Sequence, residues 1–183
     1  MKKKISNLLS KLESTRSIYF NISPETGKFL NLLIKNRKYQ QILEIGTSNG
    51  YSGIWIAEAL SRTGGHLHTI ESHEKKRYFL AKENFKFSDL SEHITLILGH
   101  APKDLPKTPK MFDMAFFDAT KVEHLSYFKA ISPRIKKGGM IVTDNMISHK
   151  KKLKPYLNHI QKKPNWHSHL IHIGTGLLIS LKK

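Results

Sequence analysis

Two short polar segments in the middle of the chain carry the residue types of a metal-assisted reaction site. Asp118 and Lys121 follow one apolar run, and Asp144 and Asn145 follow the next. If both runs are neighbouring strands of one parallel sheet, their ends lie about 4.8 Å apart and these side chains converge. Three oxygen ligands without His or Cys suit Mg²⁺, Mn²⁺ or Ca²⁺. Lys121 is the candidate general base, since it lies one helical turn from Asp118, beside the cation.

The same residues also have an ordinary structural interpretation. Asp and Asn are common in turns, and a lysine one helical turn further along is often solvated surface. Either segment alone fits this interpretation about as well as it fits a site. Two such segments, each at the end of a predicted strand, favour the site.

A glycine-containing turn follows the first predicted strand. It runs from Glu44 to Ser52, but Ser48 and Tyr51 occupy two positions that a GxGxxG fingerprint starting at Gly46 would fill with glycine. This spacing argues against a dinucleotide site. The turn still lets an anionic group approach backbone N–H groups at a helix start, and Glu44 suits an ammonium. An amino-acid moiety satisfies both features, although many α/β proteins have glycine in such a turn.

Two further strand ends extend this candidate ligand site. Glu71 ends the second predicted strand, where a carboxylate accepts hydrogen bonds from ribose hydroxyls. His100 and Ala101 follow the third strand after Gly99, and this small segment lets an adenine edge lie against the backbone. The three strand ends together predict a ligand with an amino acid at one end and a nucleoside at the other.

The elements that must position these residues alternate between short apolar strands and amphipathic helices. This alternation predicts an α/β fold with helices on both faces of a mostly parallel sheet. The predicted helices are an N-terminal one, one that starts at Ser23-Pro24-Glu25, and Gly50–Ser61, Glu74–Phe87, Val122–Ile135 and Lys151–Gln161. The predicted strands are Gln41–Ile45, His66–Ile70, Ile94–Leu98, Phe112–Phe117, Met140–Thr143, His167–Ile173 and Leu177–Leu181, the last two forming an antiparallel pair around Gly174-Thr175-Gly176.

Length and composition predict a single globular domain. The 183 residues suffice for one core, with 1–37 as helices that cap the sheet and 38–183 as the ligand-binding part. No apolar run reaches the roughly 20 residues of a membrane span. The basic start imitates a signal peptide, but Asn7, Ser10 and Lys11 interrupt the apolar region that must follow, so we expect a helix. The lack of cysteine fits a cytoplasmic protein.

Charge is the most extreme feature of the composition. Lysine and arginine number 31 against 14 acids, a net charge of +17, and the segment from Lys150 to Lys183 has eight lysines and no acid. A polyanion such as RNA would be attracted to this surface by counterion release. A lysine-rich composition is the alternative explanation. It accounts for the preference for lysine over arginine but not for the shortage of acids.

These segments together resemble the O-methyltransferases that depend on S-adenosylmethionine and a divalent cation, the family of catechol and caffeoyl-coenzyme A O-methyltransferases. The resemblance covers nearly the whole chain, and its specific part is the pair of motifs Asp118-x-x-Lys121 and Asp144-Asn145. It implies a class I methyltransferase fold, a Rossmann-like sandwich. The implied sheet has seven strands in the order 3-2-1-4-5-7-6, with the last strand antiparallel.

The resemblance also implies a role for each matching residue. Asp118, Asp144 and Asn145 would hold Mg²⁺ or a similar ion, and Lys121 would act as the base. The residues expected to bind S-adenosylmethionine are Glu44, Gly46, Thr47, Tyr51, Ser52, Glu71, His100, Ala101 and Asp118.

The chain also departs from the family in ways that bear on the acceptor. Thr120 replaces a usual acid, and both the N-terminal extension and the segment 146–166 are short, which predicts an open pocket. We expect methyl transfer to the hydroxyl of a small catechol-like molecule, in a monomer or homodimer. The alternatives are a hydroxyuridine of tRNA as the acceptor and a non-catalytic nucleic-acid-binding protein on the same scaffold.

Overall fold

Seven strands form one sheet across the middle of the molecule. The computed structural model describes the backbone of residues 1–183 and the side chains of 1–73 and 76–183. The sheet order is β3-β2-β1-β4-β5-β7-β6. Strand β7 is antiparallel to both neighbours, and the other adjacent pairs are parallel, as predicted. The strands are β1 (Gln41–Ile45), β2 (His66–Glu71), β3 (Ile94–Leu98), β4 (Phe112–Phe117), β5 (Ile135–Thr143), β6 (Trp166–Ile171) and β7 (Leu177–Lys182).

Helices cover the two faces of this sheet. Buried residues of α1, α3, α4 and α5 form one apolar cluster, and those of α6 and α7 form the other. Side chains of successive strand residues point to opposite faces, so Ile42 joins the first cluster and Leu43 the second. The helices are α1 (Lys3–Glu13), α2 (Arg16–Tyr19), α3 (Pro24–Arg37), α4 (Tyr51–Thr63), α5 (Phe79–Phe87), α6 (His124–Ile131) and α7 (Lys150–Gln161). None of these helices is both long and apolar enough to cross a membrane.

Helix α3 begins where the sequence predicted. The hydroxyl of Ser23 accepts a hydrogen bond from the backbone N–H of Thr26 at 3.2 Å, and Pro24 occupies the first turn. Glu25 also lies in that turn, near the positive end of the helix dipole. The N-terminal segment forms α1 as expected, and its Ile5, Leu8, Leu9 and Leu12 are buried against the core.

Several predicted boundaries differ from the structure. The helix predicted over Glu74–Phe87 is a π-helical turn over Glu74–Tyr78 followed by α5. The helix expected to reach Ile135 ends at Ile131, because Pro133 cannot supply a helical N–H and the chain turns over Ser132–Arg134. Strand β5 starts at Ile135 rather than Met140. Its first part pairs with β4 through an irregular register, and Gly138 has a φ of 76° there, so apolar patterning alone did not reveal it.

The carboxyl ends of the parallel strands lie at one edge of the sheet. Backbone N–H groups just past each strand reach the last carbonyls of a neighbour: Gly46 to Ile70 at 3.0 Å, Asp118 to Ile45 at 3.0 Å and Asp144 to Phe117 at 3.1 Å. The chain reverses direction across the sheet between β1 and β4, the place where α/β proteins bind ligands. The two polar segments after β4 and β5 therefore lie side by side.

Candidate functional site

A cavity of about 340 Å³ opens at this edge of the sheet. Most of the predicted site residues line it. Two do not: Glu44 and Asp144 lie just behind the cavity wall and are buried. The residues that do line it are Gly46, Thr47, Tyr51, Ser52, Glu71, His100, Ala101, Asp118, Lys121 and Asn145.

The turn after β1 is built on close backbone packing. Gly46 has a φ of 98°, and a Cβ at this position would lie 2.6 Å from the carbonyl oxygen of Asp118. Only glycine combines this backbone conformation with this approach. The turn thereby fixes the distance between the end of β1 and the end of β4, where Asp118 lies.

Glu71 joins the turn to the loop after β2. Its Oε2 accepts a hydrogen bond from the backbone N–H of Ser48 at 2.7 Å, and its Oε1 accepts one from that of His73 at 2.8 Å. A carboxylate has about four acceptor positions, so others remain for hydroxyl groups of a ligand in the cavity. This buried carboxylate is rigidly held and faces the ligand space.

Glu44 supports the site from below. Its carboxyl accepts hydrogen bonds from the hydroxyls of Ser52 at 2.5 Å and Thr69 at 2.6 Å, which occupy both oxygens. The pKa of Glu44 is raised to about 7, mainly by burial and also by the charges of Asp118 and Glu71, while the two hydrogen bonds lower it. In this arrangement Glu44 holds the first turn of α4, and its direct contact with an ammonium stays a prediction.

A half-buried carboxyl, Asp118, follows β4, and a buried one, Asp144, follows β5. Burial raises the pKa of Asp118 to about 7, Lys121 opposes this rise, and the charge of Asp144 adds to it. Burial also raises the pKa of Asp144. Lys121 Nζ lies 2.8 Å from Asp118 Oδ1, so the predicted base and acid are in direct contact. The charge of Asp144 acts on Asp118, and a cation between the two carboxyls would relieve this repulsion.

Thr175 completes this group and was not predicted. Its hydroxyl donates to Asp144 Oδ1 at 2.6 Å and accepts from the side-chain amide of Asn145 at 3.0 Å. The backbone N–H of Asn145 donates to the same Asp144 oxygen at 2.7 Å. These contacts leave the amide oxygen of Asn145 with no hydrogen-bond donor among the described residues. The sequence indicated only a hairpin turn at Thr175, since its partners lie 30 residues away.

The segment after α2 crosses the cavity mouth and was also not predicted as part of the site. The hydroxyl of Ser48 donates to the backbone carbonyl of Tyr19 at 2.6 Å, and the ring of Phe20 lies 5.6 Å from the guanidinium of Arg77. All four residues line the cavity. Part of the N-terminal segment thus forms one wall of the site.

The opposite end of the cavity is bounded by His100. Its Nε2 lies 3.2 Å from Glu123 Oε1, and the hydroxyl of Tyr127 donates to Glu123 Oε2 at 2.5 Å. His100 and Tyr127 both line the cavity. Glu123 therefore ties the loop after β3 to the segment that carries Lys121.

The donors near Asp118 match a hard cation only in part. No group of three or more His, Cys, Asp or Glu side chains that could hold a metal occurs among the described residues. The oxygen set consists of two carboxyls and the amide of Asn145. Oxygen donors of this kind suit Mg²⁺ or Ca²⁺, which complete their coordination with water or substrate oxygens.

Comparison with known proteins finds a family and several proteins that this chain is similar to. A family model described as O-methyltransferase matches residues 3–177. A catechol O-methyltransferase of Niastella koreensis is 37% identical over 131 residues, which cover 69% of this chain and 58% of that protein. One from Mycobacterium tuberculosis is 32% identical over 127 residues, covering 69% and 57%. The matches thus span a little over half the length of these curated relatives.

Solved structures agree along the full chain. An O-methyltransferase from Bacillus cereus, solved in complex with SAH, superposes with a TM-score of 0.88 at 25% identity, covering 100% of this chain and 92% of that one. An O-methyltransferase of tomaymycin synthesis from Streptomyces achromogenes, solved in complex with SAM, has a TM-score of 0.84 at 25% identity, covering 100% and 91%.

Proposed function

The chain belongs to the O-methyltransferase family, and on that premise we propose that it transfers the methyl group of S-adenosylmethionine to a hydroxyl of a small catechol-like acceptor, assisted by a divalent cation. The observation that carries the proposal is the layout of one cavity. Glu71, a buried carboxylate, lines one part of the cavity and accepts hydrogen bonds from backbone N–H groups. The Lys121–Asp118 pair lines another part.

The cofactor would lie across the ends of β1, β2 and β3. Glu71 would accept from the ribose hydroxyls, and the backbone at His100 and Ala101 would border the adenine. The methionine end would lie against the turn at Gly46, Thr47, Tyr51 and Ser52. The cofactor supplies an activated methyl group, so the task of the protein is to align that carbon with the acceptor oxygen. Two acids that line the cavity, Glu71 and Asp118, would complement its positive sulfonium.

A divalent cation would be held by Asp118, Asp144 and the amide oxygen of Asn145. The charge effect of Asp144 on Asp118 supports this assignment, as does the amide oxygen of Asn145, which accepts no hydrogen bond among the described residues. Such an ion stabilises an acceptor oxygen as an oxyanion. Lys121, 2.8 Å from Asp118, would take the proton from an acceptor hydroxyl held next to that carboxyl as a neutral amine, after the ammonium of the ion pair has given its own proton to solvent.

Cofactor binding and methyl transfer test the proposal separately. Calorimetry with S-adenosylhomocysteine should show binding with or without Mg²⁺. Transfer of labelled methyl to catechol should require Mg²⁺ and stop with a chelator. Asp144→Asn should lower kcat about 100-fold while cofactor affinity changes little. Asp89→Asn removes an exposed acid that pairs with Lys4 and serves as the matched control. Full activity in chelator would contradict the role of the cation.

A tRNA hydroxyuridine is the second candidate acceptor. The eight lysines of the acid-free segment 150–183 favour it, because a polyanion is attracted to such a surface. Labelled methyl should then enter tRNA that carries the hydroxyl and not a panel of catechols. A non-catalytic nucleic-acid-binding protein would instead bind RNA with an affinity that Asp118→Ala does not change. Calorimetry would show no binding of the cofactor to it. A cytoplasmic location and a monomeric or homodimeric state stay predictions from the sequence.

A further inference from the structure

Unpaired cations flank the end of the cavity where Lys121 and Asn145 lie. Arg16 begins α2, and its Nε donates to the backbone carbonyl of Asn21 at 3.1 Å, a residue that lines the cavity. On another side α7 begins with Lys150, Lys151 and Lys152, directly after His149, which also lines the cavity. Two separate elements thus bring positive charge to the same end.

These charges are close enough to act on the site. Burial raises the pKa of Asp144, while its hydrogen bonds and the charges of Lys121 and Arg16 lower it. Burial lowers the pKa of His149, and the charges of Lys121 and Lys152 lower it further. The charge of Arg16 therefore acts at Asp144, and the charge of Lys152 acts at His149 in the cavity lining.

No acid in the described part of the chain pairs with Arg16 or with the three lysines of α7. The single ion pair at this end joins Lys121 to Asp118. Lysines in the first turn also face the positive end of the helix dipole, which disfavours the helix. Helix stability therefore does not explain their position.

We propose that the acceptor carries an anionic group, a carboxylate or a phosphonate-like group, in addition to the hydroxyl that is methylated. This inference rests on the proposed function and specifies its acceptor. Arg16, bonded to the lining residue Asn21, and the lysines that follow the lining residue His149 would attract this anion. A cation between Asp118 and Asp144 would strengthen the preference, because it neutralises the negative charge of these two carboxyls.

Four acceptors with the same ring and different charges test the inference. Catechol is neutral, dopamine is positive, and 3,4-dihydroxybenzoate and 3,4-dihydroxyphenylphosphonate are negative and separate the two kinds of anion. With Mg²⁺ present, KM for at least one anionic acceptor should be about tenfold below that for catechol. Dopamine should have the highest KM. Raising the salt concentration should weaken both the preference for the anions and the discrimination against dopamine, and should leave KM for catechol nearly unchanged.

Variants of Arg16 assign the preference to this end of the cavity. Arg16→Gln should raise KM for the anionic acceptor about fivefold and change KM for catechol less than about twofold. Arg16→Lys keeps the charge and should keep most of the preference, even if the contact to Asn21 is lost. Arg62→Gln removes the same charge from the far end of α4 and should change neither value. Melting temperatures of all three variants show whether each remains folded.

A binding measurement separates failure of the inference from failure of the proposed function. Calorimetric titration of catechol and 3,4-dihydroxybenzoate into the protein with S-adenosylhomocysteine and Mg²⁺ reports preference without turnover. Absence of transfer to every acceptor would contradict the proposed function, and the calorimetric order would still decide the charge preference. Equal affinities for the neutral and anionic compounds, or the same preference in Arg16→Gln as in the unmodified protein, would overturn the inference.

Discussion

Replacing Gly46 with alanine is expected to reduce stability and to displace Asp118. The new Cβ would lie 2.6 Å from the carbonyl oxygen of Asp118 and 3.0 Å from the backbone nitrogen of Ala119. Both neighbours are backbone atoms at the end of a central strand, so they cannot move aside as a flexible side chain would. The backbone at Gly46 also has a φ of 98°, which alanine rarely adopts.

The two effects can be estimated separately. A left-handed backbone conformation costs a non-glycine residue about 1–2 kcal/mol. Overpacking at a rigid site costs about 1–3 kcal/mol more. Gly46→Ala should therefore lower the free energy of unfolding by about 2–5 kcal/mol. This is a large fraction of the 5–15 kcal/mol that is typical of a domain.

Gly64→Ala is the matched control. Gly64 has a φ of 70°, but nothing lies within 4 Å of the position of its Cβ, so this variant carries the backbone cost without the clash. Urea denaturation of the two variants measures both values, and their difference isolates the clash at about 1–3 kcal/mol. Since Asp118 is the group displaced, methyl transfer should also fall in the folded Gly46→Ala protein and not in Gly64→Ala.

Equal destabilisation of the two variants would refute the reasoning. It would mean that the turn relaxes away from β4 and that the close approach of the two backbones does not position the acid. Lower stability with unchanged methyl transfer would support the clash at the Gly46 Cβ position. It would contradict the displacement of Asp118.

Three further outcomes are expected. Thr175→Val removes the hydroxyl that joins Asp144 to Asn145, so it should destabilise the protein by about 1–3 kcal/mol and lower kcat, and Thr175→Ser should restore both; equal denaturation midpoints for the two would contradict this. Glu71→Gln keeps the shape of the side chain and should weaken S-adenosylhomocysteine binding about tenfold by calorimetry, and unchanged affinity would argue against ribose recognition. Because the folded pKa of Glu44 is about 7 against an ordinary 4.5, its protonated form is favoured in the folded state, so its contribution to stability is present below pH 4.5 and is lost as pH rises to 7. That loss amounts to about 3 kcal/mol without bound ligands, and urea denaturation at pH 5 and 8 should show a smaller decline in Glu44→Gln; an unchanged decline would contradict it.

Much of the fold followed from local patterns. Short apolar runs predicted all seven strands, and the order and directions of the strands, implied by family resemblance, are confirmed. Predicted strand boundaries were wrong where the local sequence pattern and the tertiary pairing of strands disagreed. The first part of β5 contains Lys136, Lys137 and two glycines, and it is a strand because it pairs beside β4.

The candidate site also has features that the sequence predicted and features that only tertiary contacts created. Asp118 and Lys121 lie three residues apart, and Asp144 and Asn145 are adjacent, so their grouping is visible in the sequence. Most of the predicted cofactor positions line the cavity for a related reason: each directly follows a strand end or belongs to a turn there. Glu44 lies at such an end too, but its carboxyl points under α4 to Ser52 and Thr69.

The sequence by itself determined which residue types stand at the ends of the strands, because apolar runs, glycine turns and strand-end acids are properties of neighbouring residues. Only the tertiary structure decided that Thr175 links Asp144 to Asn145, that the segment after α2 closes the cavity, and that Arg16 lies near the acids. Those contacts join residues about 30 or more positions apart, for example Ser48 and Tyr19, 29 positions apart at 2.6 Å. Their closeness depends on the packing of helices against the sheet, which no local spacing records.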